Sequence, residues 1–147
     1  MYPTHTPKVT RPYGVPGDYA AGFHTGTDFG WTRPIEIIRN TFRGTVVRVG
    51  YDADGYGKFV VVRCRTLRHG TRYAWYCHLD SHNNLRVGRY LRSGAIIGVM
   101  GSTGNAFGRH LHYEERVGQN RYGVDARKPI LLKARTVSRS LKRQGWK

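Results

Sequence analysis

The sequence predicts a mainly β fold built on a small antiparallel sheet, and three observations support this prediction. Runs rich in β-branched and aromatic residues recur along the chain, with glycine-containing turn signals between them. Gly (19 of 147 residues) and Tyr (10, against 5 Phe) are abundant, which is typical of a turn-rich β protein with partly wet aromatic faces. Helical periodicity is poor except towards the C-terminal end.

The chain opens with a segment, residues 1–34, that is expected to be extended and rich in turns. Prolines and glycines interrupt any periodicity in it. The first predicted strands are residues 35–38 and 45–51, which are rich in β-branched residues and are separated by Arg43 and Gly44. Residues 52–57 then read as a turn.

The central part of the chain is predicted to be a hairpin of residues 59–64 and 71–79, which turns about His69. In this pairing Cys64 lies nearly opposite Cys77. Strict alternation also places Tyr76 and His78 on one face of the second strand and Cys77 on the other. Two cysteines are too few for a disulfide framework, and free thiols are expected.

The last predicted strands are residues 95–100 and 110–117, joined through the turn Gly101-Ser-Thr-Gly104. Because side chains alternate along a strand, His110, His112 and Glu114 are expected to share one face. Leu111 and Tyr113 would then face the other way. Two imidazoles side by side on one strand face are unfavourable in an apolar core, but they are well placed to bind a metal and to transfer a proton.

Length and charge set the broad class of the protein. A chain of 147 residues fits a single domain. Its 25 Lys and Arg against 9 Asp and Glu give a formal charge of +16, which favours a polyanionic partner such as nucleic acid, anionic lipid or bacterial wall. No apolar run is long enough for a membrane span, and the start has no apolar segment typical of a secretory signal.

The histidines indicate a metal centre. His24 and Asp28 are four residues apart, and on an extended segment both can reach one ion. Together with His110 or His112 they supply two imidazoles and one carboxylate, a zinc set with an open fourth position for a water that the metal activates. Two histidines then remain for accepting a proton and stabilising developing negative charge.

These residues occur in three motifs that resemble one known family. The motifs are His24-Thr-Gly-Thr-Asp28, then Tyr76-Cys-His78-Leu79, and last Gly101-Ser-Thr-Gly104 followed by His110-Leu-His112-Tyr-Glu114. In this order they resemble the lysostaphin-like, or LytM-type, zinc peptidases of family M23. The resemblance covers about residues 11–132, which we take as the peptidase core, and leaves residues 133–147 as a basic tail.

The resemblance implies a lysostaphin-type sheet with a catalytic groove and one zinc ion per chain. It assigns His24, Asp28 and His112 as zinc ligands and His78 and His110 as catalytic histidines, without dividing their roles. Tyr19 and Tyr76 are assigned to substrate binding. Glu114 is expected to support the ligands without binding the metal.

The implied function is hydrolysis of peptide bonds in bacterial peptidoglycan, and the expected origin is a phage endolysin. Such an enzyme would be made in the host cytoplasm without a signal peptide and act on the wall after release. Anionic wall polymers or lipopolysaccharide are further possible partners, and a monomer that binds no nucleic acid is expected. The alternatives are a virion-associated lysin of the same chemistry and a catalytically silent basic protein that binds wall or nucleic acid.

Overall fold

The computed structural model describes residues 1–118 and 125–130, and the tail of residues 133–147 lies outside this part. All strand pairs found there are antiparallel and belong to one sheet, which confirms the predicted fold class. The strands are β1 Val9–Arg11, β2 Thr27–Gly30, β3 Ile37–Arg39, β4 Gly44–Asp52, β5 Gly57–Thr66, β6 Gly70–Ser81, β7 Tyr90–Leu91, β8 Ile96–Met100, β9 His110–Arg116 and β10 Ala126–Arg127.

The sheet order explains how distant parts of the sequence meet. The main path runs β1-β2-β9-β6-β5-β4-β7, while β10 pairs with β9 and β8 joins β6 to β3. Strand β9 therefore lies between β2, from early in the chain, and β6, from its middle. Six of the strands correspond to predicted ones, whereas the short strands β1, β2, β7 and β10 were not predicted.

The sheet buries apolar side chains on both faces, but unequally. The main core contains Leu111 and Tyr113 of β9 together with residues of β5, β6 and β8. On the other face a smaller cluster of Phe59, Val61, Trp75 and Cys77 supports the floor of a groove. Leu111 and Tyr113 are buried in the main core, while His112 lies in the groove, so the alternation predicted for β9 is confirmed.

The predicted pairing of the two cysteines is wrong. Cys64 pairs with Arg72, since the hairpin turns over residues 66–70, and Cys77 lies much further along β6. Alternation puts the thiols on opposite faces, with Cys64 in the main core and Cys77 in the groove-side cluster. Both thiols are free and buried, and burial raises the pKa of each.

Strand β6 also departs from strict alternation at His78. This residue has a φ of 61°, in the left-handed region that side chains other than glycine rarely adopt. Tyr76 follows the alternation and is buried in the main core, whereas the ring of His78 is turned to the groove side, 4.8 Å from that of His110. The prediction that Tyr76 and His78 share a face is wrong for this reason.

Within the described residues there is no helix long and apolar enough to cross a membrane.

Candidate metal centre and active site

Three side chains from neighbouring segments converge on the groove floor. Asp28 and His112 face each other across the β2–β9 pair, and His24 comes from the loop that precedes β2. Asp28 Oδ1 lies 2.8 Å from His112 Nδ1 and 3.1 Å from His24 Nε2. One ligand atom of each residue lies within 4.8 Å of the other two. A single metal ion can therefore contact all three.

The second nitrogen of each imidazole is held by a protein acceptor. His24 Nδ1 lies 3.0 Å from the carbonyl oxygen of Pro12, and His112 Nε2 lies 2.7 Å from Glu114 Oε1. Metal-binding histidines usually donate their second N–H to such acceptors, which fixes the tautomer and the ring orientation. These contacts leave His24 Nε2 and His112 Nδ1 directed at Asp28.

This donor set fits zinc. Two imidazole nitrogens and one carboxylate oxygen are ligands that zinc prefers, and three protein ligands leave the fourth tetrahedral position open, as in catalytic zinc sites. His24, Asp28 and His112 form the His-Asp-His zinc site that the sequence predicts.

Glu114 lies at the centre of a buried hydrogen-bond network behind the ligands, where the sequence placed it. Thr25 and Tyr56 donate hydrogen bonds to its Oε1, at 2.6 and 3.2 Å. Arg116 donates to its Oε2 at 2.6 Å and to the Tyr56 hydroxyl at 2.7 Å. Thr25, Tyr56 and Arg116 were not predicted from the sequence. The two-residue spacing of Glu114 and Arg116 on β9 was a usable signal for Arg116.

The carboxylates determine the charge of the metal-free site. Burial opposes charge on Asp28, yet hydrogen bonds from His112 and His24 hold the pKa of Asp28 well below its usual value. Burial likewise opposes charge on His112, but hydrogen bonds to Asp28 and Glu114 prevail and raise its pKa to about 9. Without metal, His112 is therefore an imidazolium between two carboxylates at neutral pH.

His78 and His110 lie beside the ligands, and each ring has its Nδ1 atom on a backbone carbonyl oxygen. His78 Nδ1 lies 2.8 Å from the carbonyl oxygen of Thr103, and His110 Nδ1 lies 3.2 Å from that of Gly108. A carbonyl only accepts hydrogen bonds, so Nδ1 of each ring carries the proton and Nε2 is left free to act. Burial lowers the pKa of His78 to about 4, so this imidazole is neutral at pH 7.

The two tyrosines assigned to substrate binding have different positions. The ring of Tyr19 lines the groove with its centroid 5.4 Å from that of His24. Tyr76 is fully buried, and its hydroxyl donates to Asn40 at 2.9 Å and accepts from the Thr41 amide at 2.8 Å. The assignment of Tyr76 to substrate binding is therefore wrong, because this side chain is part of the core.

A groove with a volume of about 1610 Å³ contains the three ligands, His78 and His110. Its rim carries the exposed aromatic side chains Trp31 and Phe107 and the half-buried Arg109, whose guanidinium lies over the Trp31 ring. Such a groove has room for an extended peptide across the metal site.

This fold and this site define a zinc metalloendopeptidase domain. Residues 22–125 match peptidase family M23, a span that contains the three zinc ligands and both further histidines. The chain belongs to peptidase family M23.

Three curated relatives illustrate the range of the family. The chain is 38% identical over 92 residues to an uncharacterized metalloprotease of Haemophilus influenzae, covering 62% of this chain and 18% of that protein. It is 33% identical over 105 residues to the glycyl-glycine endopeptidase ALE-1 of Staphylococcus capitis, covering 70% of this chain and 26% of that protein. It is 30% identical over 113 residues to the DD-carboxypeptidase/endopeptidase Mpg of Neisseria meningitidis serogroup B, covering 75% of this chain and 24% of that protein. The chain thus spans about a quarter or less of each relative.

Two solved structures share the fold. The catalytic domain of lysostaphin from Staphylococcus simulans superposes with a TM-score of 0.72 at 30% identity, covering 86% of this chain and 91% of that domain. A variant of the catalytic domain of the prophage-encoded M23 protein EnpA from Enterococcus faecalis gives a TM-score of 0.57 at 30% identity. The superposition covers 80% of this chain and 82% of that domain.

Proposed function

We propose that this chain is a zinc-dependent endopeptidase that hydrolyses peptide bonds in bacterial peptidoglycan. The observation that carries the proposal is the convergence of the His24, Asp28 and His112 ligand atoms within 4.8 Å, beside two further histidines in an open groove. Membership of family M23 and the similarity to the endopeptidases ALE-1 and Mpg support this assignment.

The chain's own residues have separate tasks in this proposal. His24, Asp28 and His112 would hold the zinc, and zinc supplies Lewis-acid activation of a water and of the scissile carbonyl. His78 and His110 would offer their free Nε2 atoms to accept a proton from the attacking water, and the imidazolium that forms would stabilise developing negative charge through its new N–H. Tyr19, beside His24, would position the substrate backbone.

Mass spectrometry of fragments released from defined peptidoglycans tests this function. We expect new amino and carboxyl ends within the peptide part of the polymer, and no cleavage of its glycan strands. Chelation should abolish release, and added zinc should restore it. Intact peptide cross-links after incubation with the zinc-loaded protein would refute the proposal.

We further propose that the protein is a monomeric phage endolysin, made in the host cytoplasm and acting on the wall after release. The likeness to the prophage-encoded EnpA domain supports a phage origin. The formal charge of +16 suits attraction to anionic wall polymers or lipopolysaccharide.

Production of the chain inside bacteria tests the endolysin proposal. We expect lysis only when a second protein permeabilises the cytoplasmic membrane. Detection of the chain in purified phage particles would instead assign it to a virion-associated lysin.

A further inference from the structure

We infer that Arg48 binds a carboxylate of the substrate, and that the preferred substrate is therefore an acidic stem-type peptide rather than a neutral glycine bridge. This inference rests on the proposed peptidase function and names the substrate class of the same groove. The relatives described above include a glycyl-glycine endopeptidase and a DD-carboxypeptidase/endopeptidase, so family membership alone leaves the class open.

Arg48 is held in a defined place by two aromatic rings. Its guanidinium carbon lies 5.3 Å from the ring centroid of Phe59 and 5.2 Å from that of Trp75. The two rings are stacked on each other with centroids 5.4 Å apart. Gly50 makes this arrangement possible, because a Cβ there would lie 2.8 Å from the Phe59 ring. A stacked guanidinium loses little further freedom when it binds an anion.

Arg48 is also exposed and, within the described part of the chain, has no carboxylate partner. Arg116 provides the contrast, since it lies 4.0 Å from the Trp75 centroid but is bonded to Glu114. Trp75 thus contacts one arginine that supports the metal site and a second one that is open to the groove. A guanidinium presents several N–H donors in a plane that matches the geometry of a carboxylate.

The position of Arg48 fits a substrate group near the bond that is cut. Tyr56 stacks on His112 at 6.0 Å and contacts Trp75 at 5.4 Å, and Trp75 in turn contacts Arg48. These contacts place the guanidinium within about 17 Å of the ligand ring, which an extended peptide spans in about five residues. Arg48 can therefore reach a carboxylate on a residue close to the scissile bond.

The charge of the groove favours the same class of substrate. Besides Arg48, the basic side chains Lys8, Arg11 and Arg109 line it, as does Arg116, which is paired with Glu114. Among the described residues, the carboxylates that line it are the zinc ligand Asp28 and two others, Asp18 and Asp52, of which Asp52 accepts a hydrogen bond from the Tyr56 amide. A glycine bridge has no anionic group to offer this surplus of positive charge, whereas a stem peptide with free carboxylates does.

Matched peptides test the inference. One is a cross-linked stem peptide with free carboxylates, the second is the same peptide with these groups converted to carboxamides, and the third is pentaglycine. We expect the zinc-loaded protein to cleave the carboxylate peptide with a kcat/KM about tenfold or more above that of the carboxamide peptide, as a charged hydrogen bond provides. Pentaglycine should be the poorest substrate.

Variants of Arg48 identify the residue responsible for the preference. Arg48→Gln should lower kcat/KM for the carboxylate peptide much more than for the carboxamide peptide, so that the ratio of the two values falls to about one. Arg48→Lys, which keeps the charge without the planar fork, should retain part of the preference. Arg68→Gln, at an exposed arginine outside the groove, is the matched control and should change neither value.

Three results would overturn the inference: equal cleavage of the two stem peptides, preference for pentaglycine, or equal losses on both stem peptides in Arg48→Gln. The last would indicate a structural role for Arg48. Failure of the zinc-loaded protein to cut any of the peptides or intact peptidoglycan would instead refute the proposed function, and the inference with it.

Discussion

At the scale of single residues, the histidines of the groove differ in how their two ring nitrogens are partnered. His112 directs Nδ1 at Asp28 and holds Glu114 with Nε2, so both of its nitrogens are committed to the metal centre. His78 instead fixes Nδ1 on the Thr103 carbonyl and leaves Nε2 free. Two histidines of the same groove should therefore respond differently to substitution.

We expect His112→Ala to lose both zinc and activity, because one of three protein ligands is removed. His78→Ala should keep one zinc per chain while kcat/KM falls by about 100-fold or more, the usual contribution of a general acid or base. Elemental analysis and peptide cleavage of the two purified variants check this. Loss of zinc from His78→Ala would contradict the assignment.

The raised pKa of His112 predicts how pH affects the metal-free protein. Its folded pKa of about 9 is above the ordinary value of 6.5, so its charge contributes stability fully below pH 6.5. This contribution is lost as pH rises through 9. Bound zinc would replace the proton of His112, so the zinc-loaded protein should not show the loss.

Thermal melting with chelator and with zinc, between pH 6 and pH 10, measures this difference. The melting temperature of the metal-free protein should fall across the window, and the gap between the two forms should widen as pH rises. Parallel curves for the two forms would show that His112 does not carry the proton.

At the scale of secondary-structure elements, the site depends on how closely β9 approaches the loop before β2. Gly26 lies between the ligands His24 and Asp28. A Cβ at Gly26 would overlap the carbonyl oxygen of Tyr113 and lie 2.9 Å from both His112 Cε1 and Glu114 Cγ. Position 26 therefore needs glycine, because the backbone of β9 lies too close for any side chain.

Gly26→Ala should therefore separate the loop from β9, lower zinc affinity and cost about 1–3 kcal/mol of stability, as overpacking usually does. Gly22→Ala is the matched control in the same loop. It has a φ of +80° but open space around it, so it should lose stability through backbone strain while keeping zinc. Equal zinc affinity in the two variants would argue against the close contact.

The elements also show what the sequence could predict. The alternation of His110, His112 and Glu114 holds because β9 is a regular strand bounded by its neighbours. The same rule fails at His78, where a positive φ turns the side chain to the other face. Tyr56 joins the site from the turn between β4 and β5, and no local pattern marks a contact made only by tertiary packing.

At the scale of the whole molecule, positive charge is spread well beyond the groove. A second cavity of about 440 Å³ is lined by Arg43, Arg63 and Arg65, with Thr66 and Tyr90 beside them. Of the residues that the structure describes, no acidic one lines this cavity and none lines both the cavity and the groove. Binding of anionic wall polymers and peptide cleavage should therefore be separable.

Binding to wall fragments should fall steeply with added salt, because exposed charges are screened beyond about 8 Å at physiological ionic strength. Arg63→Glu/Arg65→Glu should weaken this binding further, while cleavage of the soluble carboxamide peptide stays unchanged. Sedimentation with wall fragments and peptide cleavage, each titrated with salt, measure the two effects. If both fall together, salt acts on the enzyme itself and the targeting role of the charge fails.

The pairing of β2 with β9 also has a consequence for the order of folding. Asp28 and His112 are 84 residues apart in the sequence, and their contact closes most of the chain into one loop. The β5–β6 hairpin, in contrast, closes over only a few residues and should form early. Zinc capture should therefore lag behind formation of the β5–β6 hairpin during refolding, so zinc binding would report when the β2–β9 contact forms. Stopped-flow refolding with a zinc-sensitive dye would time that step.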